Sequence, residues 1–348
     1  MPRSKPLAIS SAALVVGLAL VYVAAAKFGF ELAVVADQVT LVWPPSGIAL
    51  GVMLFAGRRV WPGVLLGAFV ANATTGEPLV VAGSIAMGNT LEALLALKLL
   101  EIGGFRAELA RIRDVLALVF LAATLSTTVA ATVGSFSLAA GGLQPWSALG
   151  HVWRDWWIGD AVGILTVTPP LLAWFAAERP PFRWSFGAVA LAIVTPAVAL
   201  LAFAQPAASM ANAYPVYYLA FPIVAWGALR FGLRGSTLVV LVMAYSAVLT
   251  AKEGLGPFVG ASEDPLLLLQ LFVSVLALTS LLLGAAASER DAAHEDLKLQ
   301  DRRKDQFLAT LAHELRSPLA PLVAAAHILR SKADDPSAVR RLEPVLSR

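Results

Sequence analysis

Near the C-terminal end of the chain, the run His313-Glu314-Leu315-Arg316-Ser317-Pro318-Leu319 places an imidazole beside a carboxylate. One ring nitrogen of a neutral imidazole can attack in line. A carboxylate that takes the proton of the other nitrogen stabilises the cation as it forms. Such a pair suits transfer of a phosphoryl group onto the histidine. Two other acids, Glu92 and Asp160, interrupt long apolar runs, where a charge costs several kcal/mol and is normally paired, protonated or turned to water. Asn89 lies one turn before Glu92, and Trp157 lies three residues before Asp160, so each pair shares a helical face. Two uses fit these acids: buried hydrogen bonds that hold helices together, or a polar site that binds a stimulus.

The elements that carry these residues follow from the pattern around them. Leu308, Leu311, Leu315, Leu319, Leu322, Ala326 and Leu329 recur at three- and four-residue steps, the stripe of a bundle or coiled-coil helix. At 100° per residue His313 lies about 160° from the middle of the Leu308-Leu311-Leu315 stripe and faces water. Pro318 removes one backbone hydrogen bond inside this helix and bends it. Ala333-Asp334-Asp335-Pro336 supplies a turn, after which Val339, Leu342, Val345 and Leu346 begin a second helix. Upstream, residues 288–306 carry mixed charges with no Gly or Pro and read as a solvated helix. His327, His294 and His151 lack the context of His313 and read as ordinary helix residues.

The remainder is a membrane protein by composition. The 348 residues are 58% hydrophobic and 14% charged, against about 25% charged in soluble domains. There is no cysteine, which excludes disulfides and thiolate ligands, and four scattered histidines argue against a multi-histidine metal site. Charge is nearly balanced on both sides of residue 286, 15 basic against 13 acidic and then 11 against 10, so no basic block points to nucleic acid. Ten apolar segments, near 7–26, 41–57, 60–75, 79–99, 114–139, 156–176, 185–205, 214–229, 236–251 and 265–286, predict ten spans. Gly57-Arg58-Arg59 joins the short second and third as a tight hairpin. Twelve Lys and Arg fall on one side of this arrangement and only Lys27, Arg154 and Lys252 on the other, which predicts both termini in the cytoplasm. The loops on the outer side are short, so a stimulus is read within the helices or at their mouths. Trp43, Trp61, Trp153, Trp156 and Trp157 fall near span ends and read as interface anchors.

Phe307 to Leu319 resembles the phosphoacceptor box of sensor histidine kinases. The resemblance implies that His313 accepts phosphate from ATP, held with Mg on a separate catalytic domain, and passes it to an aspartate on a response regulator receiver domain. Glu314 would be the adjacent base. Ser317 stands where the family commonly has Asn or Thr, which puts phosphatase activity in question, although a hydroxyl remains. Trp43-Pro44-Pro45-Ser46-Gly47-Ile48-Ala49, Gly57 to Gly63, Gly88 to Ala93, Trp156 to Ala161 and Trp226 to Gly232 resemble the first class of membrane-associated sensor domain. Together these imply an all-α protein: an integral membrane sensor over 1–287, a signalling helix over 288–306, and a homodimerising phosphoacceptor domain over 307–348 whose second helix is cut short. No ATP-binding domain falls within the 348 residues, so the chain is expected to be the N-terminal part of a longer or truncated kinase, inactive alone. The expected setting is a bacterial inner membrane, crossed many times, with an unknown small-molecule or membrane stimulus and no nucleic acid. The competing readings are a transporter, since intramembrane acids and Gly/Pro interruptions suit a substrate pathway, and a receptor or phosphotransfer module acting in trans.

Overall fold

A computed structural model of the chain describes residues 10–31, 42–175, 184–206, 215–259 and 265–331. The expected turn at 333–336 and the second helix after it lie outside these residues. The chain divides into two units, Met1–Glu289 and Arg290–Arg348, and each is described by itself.

The described residues form helices and turns, with one isolated bridge between Pro206 and Leu255. The helices are α1 (Ser11–Glu31), α2 (Pro44–Ala56), α3 (Trp61–Ala73), α4 (Leu79–Ile102), α5 (Ile112–Ala117), α6 (Thr127–Ala140), α7 (Leu149–Phe175), α8 (Phe186–Phe203), α9 (Ala220–Lys252) and α10 (Pro265–Ser331). A π-helical stretch, Leu118–Ser126, joins α5 to α6 as one rod. Seven helical stretches are long and apolar enough to cross a membrane, and the difference from ten predicted spans has two sources. First, α2 and α3 have 13 residues each, about 20 Å at 1.5 Å per residue, short of a hydrocarbon core of about 30 Å. The chain turns between them at Gly57 with φ 77°, but the expected tight hairpin does not form: α2 packs on α7, and α3 packs on α1 and α4, rather than on each other. Second, one continuous stretch, Val216–Lys252, takes up the described part of 214–229 and all of 236–251, and α9 within it breaks at Gly232, where φ is 61° and ψ −151°. A Cβ on Gly227 would come within 3.2 Å of the Gly235 backbone. On a straight helix residues eight apart are separated by about 12 Å, so the chain doubles back at Gly232. Only glycine adopts this left-handed φ without steric cost.

Polar contacts sort the segment ends into two groups. At one end, Arg58 pairs with Glu101 at 2.7 Å, the Ile112 amide donates to Glu289 at 3.0 Å, and Arg234 donates to the Ala173 carbonyl at 3.0 Å. That last contact places a cation on an open carbonyl of the α7 C-terminus, where the helix dipole favours it. Asp114, buried beside them, accepts from Arg111 and from the Arg106 amide and closes the α4–α5 loop. At the other end, Lys252 reaches Glu31, and the Gly256 amide donates to Gln205 at 2.8 Å. Among the described residues, Arg58, Arg106, Arg111 and Arg234 therefore gather at one end.

Small residues let these helices approach closely, the usual route to helix association in lipid. A Cβ on Gly63 or Gly67 would meet α1 at Val15 or Tyr22, and one on Gly88 would meet Val133 of α6. Helix α7 is the most enclosed of the long apolar helices, while α1 and α8 are the most open. The two prolines of Pro44-Pro45 open α2 rather than interrupt a span, because proline at the first turn loses no helical hydrogen bond.

In the loop between α3 and α4, burial without a hydrogen-bond partner at one carboxyl oxygen pushes the Glu77 carboxyl above its ordinary range. A raised acid contributes stability that is full below its unfolded-state pKa and is lost as pH rises through the folded one. Glu77→Gln is therefore expected to melt higher than the wild type at neutral pH, with the gap closing in acid. Thermal unfolding in detergent at the two pH values checks this.

In the second unit, the part of α10 from Arg290 to Arg316 is exposed throughout. The leucine stripe is uncovered as well, with Leu308 and Leu315 each 52% exposed.

Candidate functional site

Two places carry candidate chemistry. In the first unit, α4 and α7 bring Glu92 and Asp160 within hydrogen-bonding reach of each other, at 2% and 0% exposure. They are thus one site, a relation that their separation of 68 positions in the chain conceals. Helix α2 supplies the residue between them: Ser46 Oγ donates to Asp160 Oδ1 at 2.8 Å and also reaches Glu92. Asn89, one turn before Glu92 on α4, donates through Nδ2 to the hydroxyl of Tyr22 on α1 at 3.1 Å. Tyr22 is fully buried and close enough to feel both acids.

Backbone contact holds this geometry. The Trp43 amide donates to the Gly159 carbonyl at 3.0 Å, and Thr168 Oγ1 donates to the Gly47 carbonyl at 2.9 Å. Gly47 and Gly163 face one another's helices so closely that a Cβ on either would run into backbone atoms. The two bonds and two glycines fix the register of α2 on α7, and with it the placement of Ser46 against Asp160.

Trp157 does not join the site. Its indole donates to the Thr124 carbonyl at 2.9 Å and its ring stacks on Trp153 with centroids 5.9 Å apart. Trp156 takes the place beside Asp160. Positions three and four before an acid lie on opposite flanks of its face. Gly134 of α6 leaves room for the Trp156 ring on one of them. Trp156 is thus no simple interface anchor, and Trp43 is buried at 8% exposure, its ring tilted against Phe30 with centroids 5.0 Å apart.

Ser46, Tyr22 and Trp156 are members of the site that the residue pattern did not single out. A polar residue in the otherwise apolar start of α2 was the available signal for Ser46. Nothing in the periodicity marks Tyr22, whose partner lies 67 positions away.

In the second unit, His313 and Glu314 sit on α10 and are both exposed, so either face of the imidazole can be approached by another protein. His327 is exposed on the same helix. The helix runs through positions 317 and 318, but the side chains of Ser317 and Pro318 lie outside what is described, and with them the hydroxyl considered for dephosphorylation.

Comparison with known proteins places both units. The MASE1 family matches residues 14–291, and the His Kinase A (phospho-acceptor) domain matches residues 303–347. No curated protein and no solved structure matches the chain. The first match covers most of the sequence and contains every residue of the acid cluster, while the second contains His313. The chain therefore belongs to the MASE1 family, as a multi-pass membrane sensor domain followed by a His Kinase A phospho-acceptor domain, the order found in the N-terminal part of a sensor histidine kinase.

Proposed function

We propose that this chain is the sensing and phosphate-accepting part of a membrane histidine kinase in a two-component phosphorelay. The observation that carries the reading is the coincidence of an exposed His313-Glu314 pair with the phospho-acceptor match at residues 303–347. An imidazole at the surface of a helix is open to two partners in turn, an ATP-loaded catalytic domain and then a receiver aspartate. Glu314 withdraws the ring proton as the phosphoryl group arrives. ATP and its Mg are held by a catalytic domain outside these 348 residues, and the metal supplies charge neutralisation on the transferred phosphate.

The uncovered stripe at Leu308, Leu311, Leu315, Leu319 and Leu322 supports a homodimer. A contiguous apolar face of this kind is a partner surface in a soluble domain, and its spacing suits a parallel coiled pairing. Residues 288–306 carry the signal from the membrane unit to that pair. The basic residues Arg58, Arg59, Arg106, Arg111 and Arg113 support a cytoplasmic side, in a bacterial inner membrane, for the end of the bundle that carries them, the side where ATP is found. Glu92 and Asp160 form the stimulus-reading site. A conformational change there alters how often the catalytic domain reaches His313.

The test is phosphorylation in trans. The purified chain, given labelled ATP and a separate histidine-kinase catalytic domain, should gain acid-labile label and pass it to an added receiver domain. Absence of label here and on the product of any longer reading frame would overturn the proposal.

A further inference from the structure

The acid cluster lacks the positive charge that two buried carboxyl groups require. Among the described residues no Lys, Arg or His forms an ion pair with Glu92 or Asp160. The donors that reach them are the Ser46 hydroxyl, which donates to Asp160 and also reaches Glu92, and the Trp156 indole on Asp160. Three oxygen atoms then remain fully buried with no hydrogen-bond partner: Glu92 Oε2, Asp160 Oδ2 and Asn89 Oδ1. An unsatisfied acceptor in such a place costs about 1–3 kcal/mol, and an unpaired buried charge costs considerably more. Three orphaned acceptors on neighbouring residues share one remedy, a small cation among them.

The donor set narrows its chemistry. Every available ligand atom is a hard oxygen, with no sulfur or imidazole nitrogen, which selects protons and hard metal ions. A divalent ion of this class takes about six or more oxygens, more than two carboxyl groups and one side-chain amide supply. A proton bridging the two carboxyl groups and an alkali-metal ion held by the same oxygens carry the same charge, so one can replace the other.

We propose that the Glu92–Asp160 pair, with Asn89 Oδ1, is a binding site for one exchangeable monovalent cation, either a proton or an alkali-metal ion. The inference deepens the reading of this cluster as the stimulus site and rests on it for its biological meaning. The titratable groups around the pair are few. Tyr22 faces it from α1; α2 and α3 contain no acidic or basic residue; Arg113 and Asp114 lie at the far end of the α5–α6 rod; Lys98 and Glu101 lie near the end of α4; His151 and the Arg154–Asp155 ion pair lie near the start of α7; and Arg234 of α9 bonds at the end of α7. Occupancy ties α4 to α7, and loss of the cation leaves two like charges that push those helices apart.

The experiment uses the full chain in lipid nanodiscs and follows intrinsic tryptophan fluorescence, since Trp156 touches the cluster. Sodium or potassium chloride is titrated against choline chloride at constant ionic strength, at neutral and at acidic pH. An alkali-ion site gives a saturable change whose midpoint rises as pH falls, by up to about tenfold per pH unit for one-for-one exchange. A site held by protons alone gives a pH titration that alkali ions leave unmoved. Either response should vanish in Glu92→Gln and Asp160→Asn. Asn89→Ala, which spares both carboxyl groups, should keep the response with a shifted midpoint and serves if the acid variants fail to fold. A wild type indifferent to pH and to alkali ions, a response retained in both acid variants, or a response to divalent ions alone would each overturn the proposal. His313 labelling on the same preparation separates the two readings. A cation response without change in labelling removes the sensing role and leaves the site. Normal labelling without a cation response removes the site and leaves the kinase.

Discussion

His313→Gln is expected to abolish acid-labile phosphorylation of the chain while leaving membrane insertion and the thermal stability of the bundle unchanged. The first part follows from chemistry, because glutamine keeps the size and polarity of the side chain but has no ring nitrogen to attack phosphorus. The second follows from placement, since His313 is exposed and lies in the unit that begins at Arg290. Glu314→Gln should behave differently. The nucleophile survives and only the proton acceptor is lost, so the initial rate should fall by about 10² to 10⁴, the usual worth of a positioned base. His327→Gln is the control: it is exposed on the same helix but has no neighbouring carboxylate, and full labelling is expected. Labelling that persists in His313→Gln, or moves with His327, would refute the assignment of the acceptor.

Gly163→Ala is expected to have the largest effect on the membrane unit, with a loss of stability upward of about 3 kcal/mol, beyond the ordinary cost of an overpacked core. The added methyl would run into the Trp43 carbonyl. The obstacle is backbone at the start of α2, which cannot turn aside as a side-chain tip would. Relief requires α2 to move off α7, which breaks the Trp43–Gly159 and Thr168–Gly47 hydrogen bonds and withdraws Ser46 from Asp160. Thermal unfolding and size-exclusion profiles in detergent check the outcome. Gly17→Ala on α1 is the matched comparison, for nothing lies within 4 Å of its added Cβ and alanine is the better helix former. Equal behaviour of the two variants would mean that contact between α2 and α7 does not hold the site.

Legibility differed between the two units for a physical reason. Around His313, the determinants are local: a leucine repeat, its angle to the histidine and the adjacent Glu314 all lie within a few turns of one helix. The structure agrees that His313 is exposed. In the membrane unit, composition located the apolar segments, and basic residues anticipated which ends meet. The turn between α2 and α3 was readable from Gly57-Arg58-Arg59, but not that the two helices leave it for different neighbours, α2 for α7 and α3 for α1 and α4. The fold-back of α9 had a glycine signal at Gly227, Gly232 and Gly235, although its tightness depends on a left-handed residue that periodicity does not reveal.

Pairing inside the bundle was another matter. Nearly every face of a membrane helix is apolar, so hydrophobic periodicity says little about which side meets which neighbour. Trp157 and Trp156 both lay near Asp160 on the helical wheel, and the choice between them was made by Gly134 on another helix. Ser46 reaches Asp160 from 114 positions away, and Tyr22 meets Asn89 from 67.

By itself, the sequence determined that this is an all-helical membrane protein with a water-facing histidine-carboxylate pair on a leucine-striped helix, because length, charge and helical angle are properties of contiguous residues. Only the tertiary structure decided that Glu92 and Asp160 belong to one site, with Ser46, Asn89, Tyr22 and Trp156 around them. That union depends on backbone contact at Gly47 and Gly163, and close approach between helices distant in the chain is set by the three-dimensional fit of small residues rather than by any local pattern.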